Sequence, residues 1–185
     1  MRNIAALTFV TLDGVMQAVR LPDEDRSGGF TSGGWAAEYW DPVMEQVQKE
    51  AMAEPYDMLL GRKTYEMFSS HQDASTNGGH VYVMSSGNPE PVWPKTTFLS
   101  DDAVSEITKL KNRDGPLLQI HGSWQLIQTL LLADLIDEFR LWTFPVIVGA
   151  GKRLFDCNVE TGTLKLVKTG PTGNGAIMSV YRKPD

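Results

Sequence analysis

The sequence predicts an α/β domain with a mostly parallel, mixed central sheet flanked by helices and an antiparallel pair of strands at its C-terminal end. Three observations predict it. Short apolar runs such as Tyr56 to Leu60, of the kind buried on both faces of a parallel sheet, alternate with amphipathic helical segments as far as Ala133. Several of these runs end in glycine- or hydroxyl-rich turns: Gly61, Ser85-Ser86-Gly87 and His121-Gly122-Ser123. Beyond Ala133 the pattern holds strands alone, the last two around Gly-Pro and Gly-Asn-Gly turns. The 185 residues suit one domain over 1–185, with no internal repeat and no linker.

Residues 3–12 read as the first strand. Ile4, Ala6, Thr8 and Val10 share one face and Ala5, Leu7, Phe9 and Thr11 the other, and two largely apolar faces suit a central position. Asp13-Gly14 ends the strand as a turn dipeptide. Residues 17–34 are polar and glycine-rich, which reads as a mobile flap over an active site. In that reading Phe30 and Trp35 either meet a ligand or dock the segment to the core. Asp41 is a good N-cap and Pro42 a good first residue for a helix to Glu54, with Val43, Met44, Val47 and Ala51 as its apolar stripe.

After the strand Tyr56 to Leu60 the chemistry changes abruptly. Gly61 permits a tight turn, Arg62 and Lys63 add two cations, and Thr64 can cap a helix carrying Tyr65, Met67 and Phe68. A basic strand-to-helix turn either holds a phosphate or is simply a solvated, capped turn. Residues 67–79 form a polar connection containing His71, and His80 to Met84 a short strand. The hydroxyls of Ser85 and Ser86 beyond it can meet a phosphate or ribose, or shape the turn alone. Pro89 to Pro94 is a proline-spaced loop and Thr97 to Leu99 a brief strand. Ser100 or Asp101 then caps a helix to Lys111 with Ala103, Ile107 and Leu110 inward.

Leu117 to Ile120 is a further buried strand, followed by His121-Gly122-Ser123 and a long apolar helix. Gly122 allows close backbone approach, Ser123 can cap, and the N–H groups of Ser123, Trp124 and Gln125 would point at an anion. Trp124, Ile127 and Leu131 read as core. Asp134 and Asp137 precede the strand Glu138 to Phe144; Pro145 opens the apolar run Val146 to Val148, which ends at Gly149-Ala150-Gly151-Lys152. Leu164 to Thr169 and Ala176 to Arg182 complete the chain as an antiparallel edge pair.

Composition excludes several classes. A net charge of −6 argues against a nucleic-acid partner, which requires a concentrated basic surface. No run approaches a membrane span, and the N-terminus lacks the apolar stretch and cleavage site of a signal peptide, so a cytoplasmic protein is expected. One cysteine, Cys157, and three scattered histidines offer neither a disulfide framework nor a metal site; Cys157 reads as a packing or loop residue. Two cation pairs, Arg62-Lys63 and Lys152-Arg153, fall beside glycines at strand ends, where they either hold one anionic ligand or stand solvated.

The segment GRKTYEMF, from Gly61 to Phe68, resembles the second strand-turn-helix of dihydrofolate reductases. LIDEFRLWTFPVIVGAGKRLF, from Leu135 to Phe155, resembles more narrowly the reductase domain of riboflavin-biosynthesis deaminase-reductases and their stand-alone relatives. With TLDGVM near the start, the likeness runs over essentially the whole chain. It implies a dihydrofolate reductase-like fold and NADPH as cofactor. By that resemblance Arg62, Lys63 and Thr64, after Gly61, would hold the adenosine 2′-phosphate and neighbouring phosphates, and Ser85 and Ser86 the adenosine half. Gly122, Ser123, Trp124 and Gln125 would hold the diphosphate, with Gly149 and Gly151 in the glycine motif. Asp13 and Gly14 would line the pocket where nicotinamide meets substrate.

The carboxylate that supports protonation in folate reductases has only Glu38 and Asp41 as counterparts, and Asp41 is better explained as a cap. Asp13, Glu38 and Asp41 are therefore the catalytic candidates. The implied activity is reduction of a small heterocycle, nearest to 5-amino-6-(5-phosphoribosylamino)uracil of riboflavin synthesis. Two other readings are a pteridine reductase and a non-catalytic NADP(H)-binding or sensing module. A flavin-binding domain is disfavoured by Arg62-Lys63-Thr64. Trp142 and Phe144 suggest a homodimer contact or, equally, core.

Overall fold

A parallel strand buried on both faces needs a helix to return the chain, and this sequence supplies one after most of its early strands. The structure is a computed structural model and describes residues 1–70, 79–87, 89–100, 102–156, 159 and 162–184. His71, Asp101 and Cys157, and the side chain of Ala51, lie outside the described residues. The strands are β1 (Ile4–Thr11), β2 (Tyr56–Gly61), β3 (Val81–Met84), β4 (Thr96–Leu99), β5 (Leu117–His121), β6 (Glu138–Phe144), β7 (Lys165–Pro171) and β8 (Ile177–Arg182). The α-helices are α1 (Pro42–Ala51), α2 (Arg62–Ser70), α3 (Ala103–Lys111) and α4 (Trp124–Leu132). One sheet runs in the order β4-β3-β2-β5-β1-β6-β8-β7.

Two compact units divide the chain: Met1–Ala6 with Glu54–Glu138, and Leu7–Ala53 with Phe139–Asp185. In the first, β2 pairs in parallel with β3 and β5, and β3 with β4. Its core holds Leu59, Leu60, Val81, Val83, Ile107, Ile120, Ile127 and Leu130. At the amino end of β2 the buried Asp57 takes an ion pair from Arg2 and, on its other oxygen, the His80 N–H at 2.8 Å. Arg2 Nε donates to the Pro116 carbonyl at 2.6 Å, so each buried charge has a second hydrogen-bond partner beyond the ion pair. The side chain of Asp102 accepts the Ser105 N–H at 2.9 Å and caps α3, a role expected one or two residues earlier. On α4 the buried positions are Leu126, Ile127 and Leu130; Trp124 and Leu131, expected in the core, are only half-buried.

In the second unit β7 and β8 form the expected antiparallel pair. Its core is aromatic: Trp35, Trp142 and Phe144 are buried with Met44 of α1, and Phe9 and Tyr39 pack against them. Trp35 and Tyr39 both present an edge to Phe144, at 5.4 and 5.7 Å between ring centroids. Trp142 and Phe144 are thus core residues. Of the α1 stripe, Met44 is buried and Val47 half-buried, while Val43 faces out. The run 146–148 forms no strand, and Ile147 is exposed.

Residues 17–34 do not form the free flap that their composition predicts. Gln17 is buried and uses its whole amide: Nε2 donates to the carbonyls of Asp25 and Ser27 at 3.0 and 2.9 Å, and Oε1 accepts the Lys152 N–H at 3.0 Å. Lys152 Nζ pairs with Asp25 at 2.5 Å, and Trp35 Nε1 donates to the Gln17 carbonyl at 2.8 Å. Phe30 is buried in the aromatic cluster. A polar, glycine-rich sequence is here tied down by side-chain bonds together with backbone bonds such as that from the Gly34 N–H to the Ala18 carbonyl at 2.7 Å.

Candidate functional site

The first unit brings most of the expected cofactor residues to one edge. Gly61 at the end of β2 stands opposite Met84 at the end of β3, and Leu59 opposite Ile120 near the end of β5. The residues that follow these strands are Arg62, Ser85 and Gly122, so three candidate segments lie at the carboxyl ends of adjacent parallel strands. That edge of an open α/β sheet is where anionic ligands are commonly held, since the unpaired first-turn N–H groups of the following helices face it.

Both helix starts differ from the expected capped turn. Strand β2 runs directly into α2, which begins at Arg62, so Thr64 lies within the first turn and does not cap. Ser123 occupies the N-cap position of α4 without a capping side-chain bond. Its backbone is left-handed, at φ 59° and ψ 60°, directly after Gly122 at φ 53°. The hydroxyl serves the neighbouring junction: Ser123 Oγ accepts the Gly61 N–H at 2.8 Å and donates to Thr64 Oγ1 at 2.9 Å.

Arg62 and Lys63 are exposed at this edge. Arg62 Nε pairs with Glu66 Oε1 at 2.7 Å, one turn along the helix, which leaves its terminal nitrogens outside that bond. No described residue forms a salt bridge with Lys63. Ser85 is buried, its hydroxyl accepting the Gly87 N–H at 3.3 Å, and Ser86 is exposed. Gln125 is exposed in the first turn of α4.

The second unit gathers the Asp13 and glycine-motif segments. Asp13 Oδ1 accepts the Thr11 hydroxyl at 2.6 Å and the Val148 N–H at 3.3 Å; Oδ2 accepts the Gly149 N–H at 2.8 Å. Arg153 donates to the Asp13 and Gly149 carbonyls and lies 3.8 Å from the Asp13 carboxylate. The Thr11 bond, acting against burial and joined by the Gly149 and Val148 N–H groups, holds the Asp13 carboxyl below its ordinary range. Asp13 is therefore ionised near neutrality and engaged in joining residues 11–15 to 146–154. Gly14 accepts the Leu154 N–H at 3.0 Å in the same junction. Gly151 has φ +129°, and a Cβ there would meet Val15 Cγ1 at 2.8 Å, so close packing alone requires glycine.

Glu38 is exposed in a 3-10 turn, Ala37–Tyr39, and Asp41 caps α1 by accepting the Met44 N–H at 2.7 Å. Lys152 and Arg153, candidates for an external anion, bind Asp25, Asp13 and Gly149 instead. Composition gave no hint of the Gln17 and Arg153 contacts. The Thr-x-Asp spacing of Thr11 and Asp13 was a usable local signal, because such side chains readily bond across two residues. Among the described residues no group of three or more His, Cys, Asp or Glu side chains could hold a metal ion, and no helix is long and apolar enough to cross a membrane.

The RibD C-terminal domain model matches residues 2–178. The chain belongs to the RibD C-terminal domain family. This is a reductase-type family. The uncharacterised proteins YyaP and YwjB of Bacillus subtilis strain 168 are 30% and 26% identical to this chain. The matches cover 67% and 68% of this chain and 72% of each relative. Among solved structures, a protein from Shewanella sp. PV-4 assigned to riboflavin biosynthesis superposes with TM-score 0.68 at 20% identity, over 99% of both chains. Dihydrofolate reductase from Enterococcus faecalis, complexed with NADP(H) and RAB-propyl, superposes with TM-score 0.64 at 16% identity, over 99% of this chain and 97% of that one. The fold of this RibD C-terminal domain protein is thus dihydrofolate reductase-like.

Proposed function

We propose that this protein is an NADPH-dependent reductase that delivers hydride to a small heterocyclic substrate. The observation that carries the reading is the alignment of three parallel strand ends with the starts of α2 and α4, beside exposed Arg62 and Lys63. The donor set fits a dinucleotide phosphate: first-turn N–H groups for the diphosphate, a guanidinium fork and an ammonium for the 2′-phosphate, and hydroxyls at Thr64, Ser85 and Ser86 for phosphate or ribose. When bound, the nicotinamide supplies the hydride.

The protein's own contribution is orientation. Asp13, already ionised, is poorly suited to give up a proton at neutral pH; with Thr11 and Arg153 it fixes the Gly14 and Gly149 segments. Membership of the family supports a substrate resembling 5-amino-6-(5-phosphoribosylamino)uracil. The test is a calorimetric titration with NADPH and NADH, followed by a screen of pyrimidine, pteridine and carbonyl substrates for NADPH oxidation. Preferential NADPH binding is the expected result, and failure to bind either nucleotide refutes the proposal.

A further inference from the structure

We infer that Ser123 is a positioning residue that joins the two helix starts of the first unit into one diphosphate-binding surface, a role resting on the NADPH reading above. A serine at the amino end of a helix normally turns its hydroxyl onto its own first turn. Ser123 does not: it makes no cap bond, and its Oγ is 2.8 Å from Gly61 N and 2.9 Å from Thr64 Oγ1. These contacts span 62 and 59 positions of sequence, from the start of α4 to the start of α2. The left-handed backbone at φ 59° is costly for any residue but glycine. A glycine here would relieve that cost and forfeit the hydroxyl.

The geometry also separates direct from indirect action. Ser123 Oγ accepts the Gly61 N–H, and its one proton is shared between Thr64 Oγ1 at 2.9 Å and the His121 carbonyl at 3.2 Å, so none is left for a phosphate oxygen and the hydroxyl acts on the ligand through Gly61 and Thr64. Gly61 packs against the same side chain, since a Cβ there would be in ordinary contact with that oxygen at 3.4 Å. The two helix starts thereby present their first-turn N–H groups in a fixed relation, as two linked phosphate groups require. A lone phosphate on the Arg62 and Lys63 side requires no such relation.

Ser123→Gly tests this with two probes: NADPH, which carries the diphosphate, and adenosine 2′-monophosphate, which carries only the phosphate assigned to Arg62 and Lys63. Expected are NADPH binding weakened about tenfold, unchanged binding of adenosine 2′-monophosphate, and a Tm equal to or above that of the parent. Ser123→Ala should weaken NADPH to the same degree but lower Tm, because it keeps the left-handed strain. Equal weakening of both probes by Ser123→Gly would reduce the serine to a fold element, and no change in either would remove its role; both results overturn the inference while leaving the cofactor reading intact. A parent protein that binds neither probe overturns the cofactor reading itself.

Discussion

Lys152 Nζ lies 2.5 Å from Asp25 Oδ2, and the two residues are 127 positions apart. Burial alone would raise the Asp25 carboxyl, but hydrogen bonds from Lys152 and Ser27 outweigh it and bring the group down to about 2. The folded value is therefore depressed from 3.8, so the stabilisation is fully present above the unfolded value and is lost as pH falls from 3.8 toward about 2. Tm measured against pH for the parent and Asp25→Asn should show a gap that is constant near neutrality and closes in this acid window. A gap that does not vary with pH would show that the charge contributes nothing.

Gln17→Ala should destabilise the protein by about 1–2 kcal/mol, because it removes a buried amide and its three bonds to the part-buried or exposed backbone of Asp25, Ser27 and Lys152. Urea denaturation gives the magnitude. Hydrogen exchange should accelerate most in residues 18–34; uniform acceleration along the chain would argue against a local anchor.

Arg62→Ala should weaken NADPH by about 10–100-fold and NADH by less than about twofold, since a charge-assisted fork to the 2′-phosphate is lost only in the first case. Paired titrations decide it. Equal losses would remove the 2′-phosphate role from Arg62.

Gly149→Ala and Gly151→Ala should differ sharply. At Gly149, φ +80° with open space around a Cβ, the cost is the left-handed backbone alone, about 1–2 kcal/mol. At Gly151 the new Cβ would also collide with Val15 at 2.8 Å and Phe30 at 3.0 Å, adding about 1–3 kcal/mol of overpacking. Chemical denaturation of both variants checks the order, and comparable losses would contradict it.

Much of the fold was legible because periodicity and punctuation agreed. The runs at Tyr56, Leu117 and Glu138 are strands, and Asp41-Pro42 opens α1 as its residue types predict. The clustering of Arg62, Ser85 and Gly122 follows from their common place after parallel strands. What stayed hidden rests on long-range side-chain contact. Ser123 gives no sign in sequence that it will serve Gly61, and nothing near Gln17 announces a partner at Lys152. Residues 17–34 misled because low hydrophobicity implies mobility only when polar groups lack internal partners. Lys152 and Arg153 misled for the converse reason, as their carboxylate and carbonyl partners are distant in sequence.

The division of the chain also bears on the order in which it is made. Glu54–Glu138 is one continuous stretch, and with Met1–Ala6 it supplies the whole first unit. The second unit needs Phe139–Asp185 as well as Leu7–Ala53. At roughly 5–20 residues per second on the ribosome, Phe9, Trp35 and Tyr39 wait several seconds for Trp142 and Phe144, the partners against which they pack. During that interval the nascent chain carries half an aromatic core with nothing to close it, and it is then that a chaperone has most to shield.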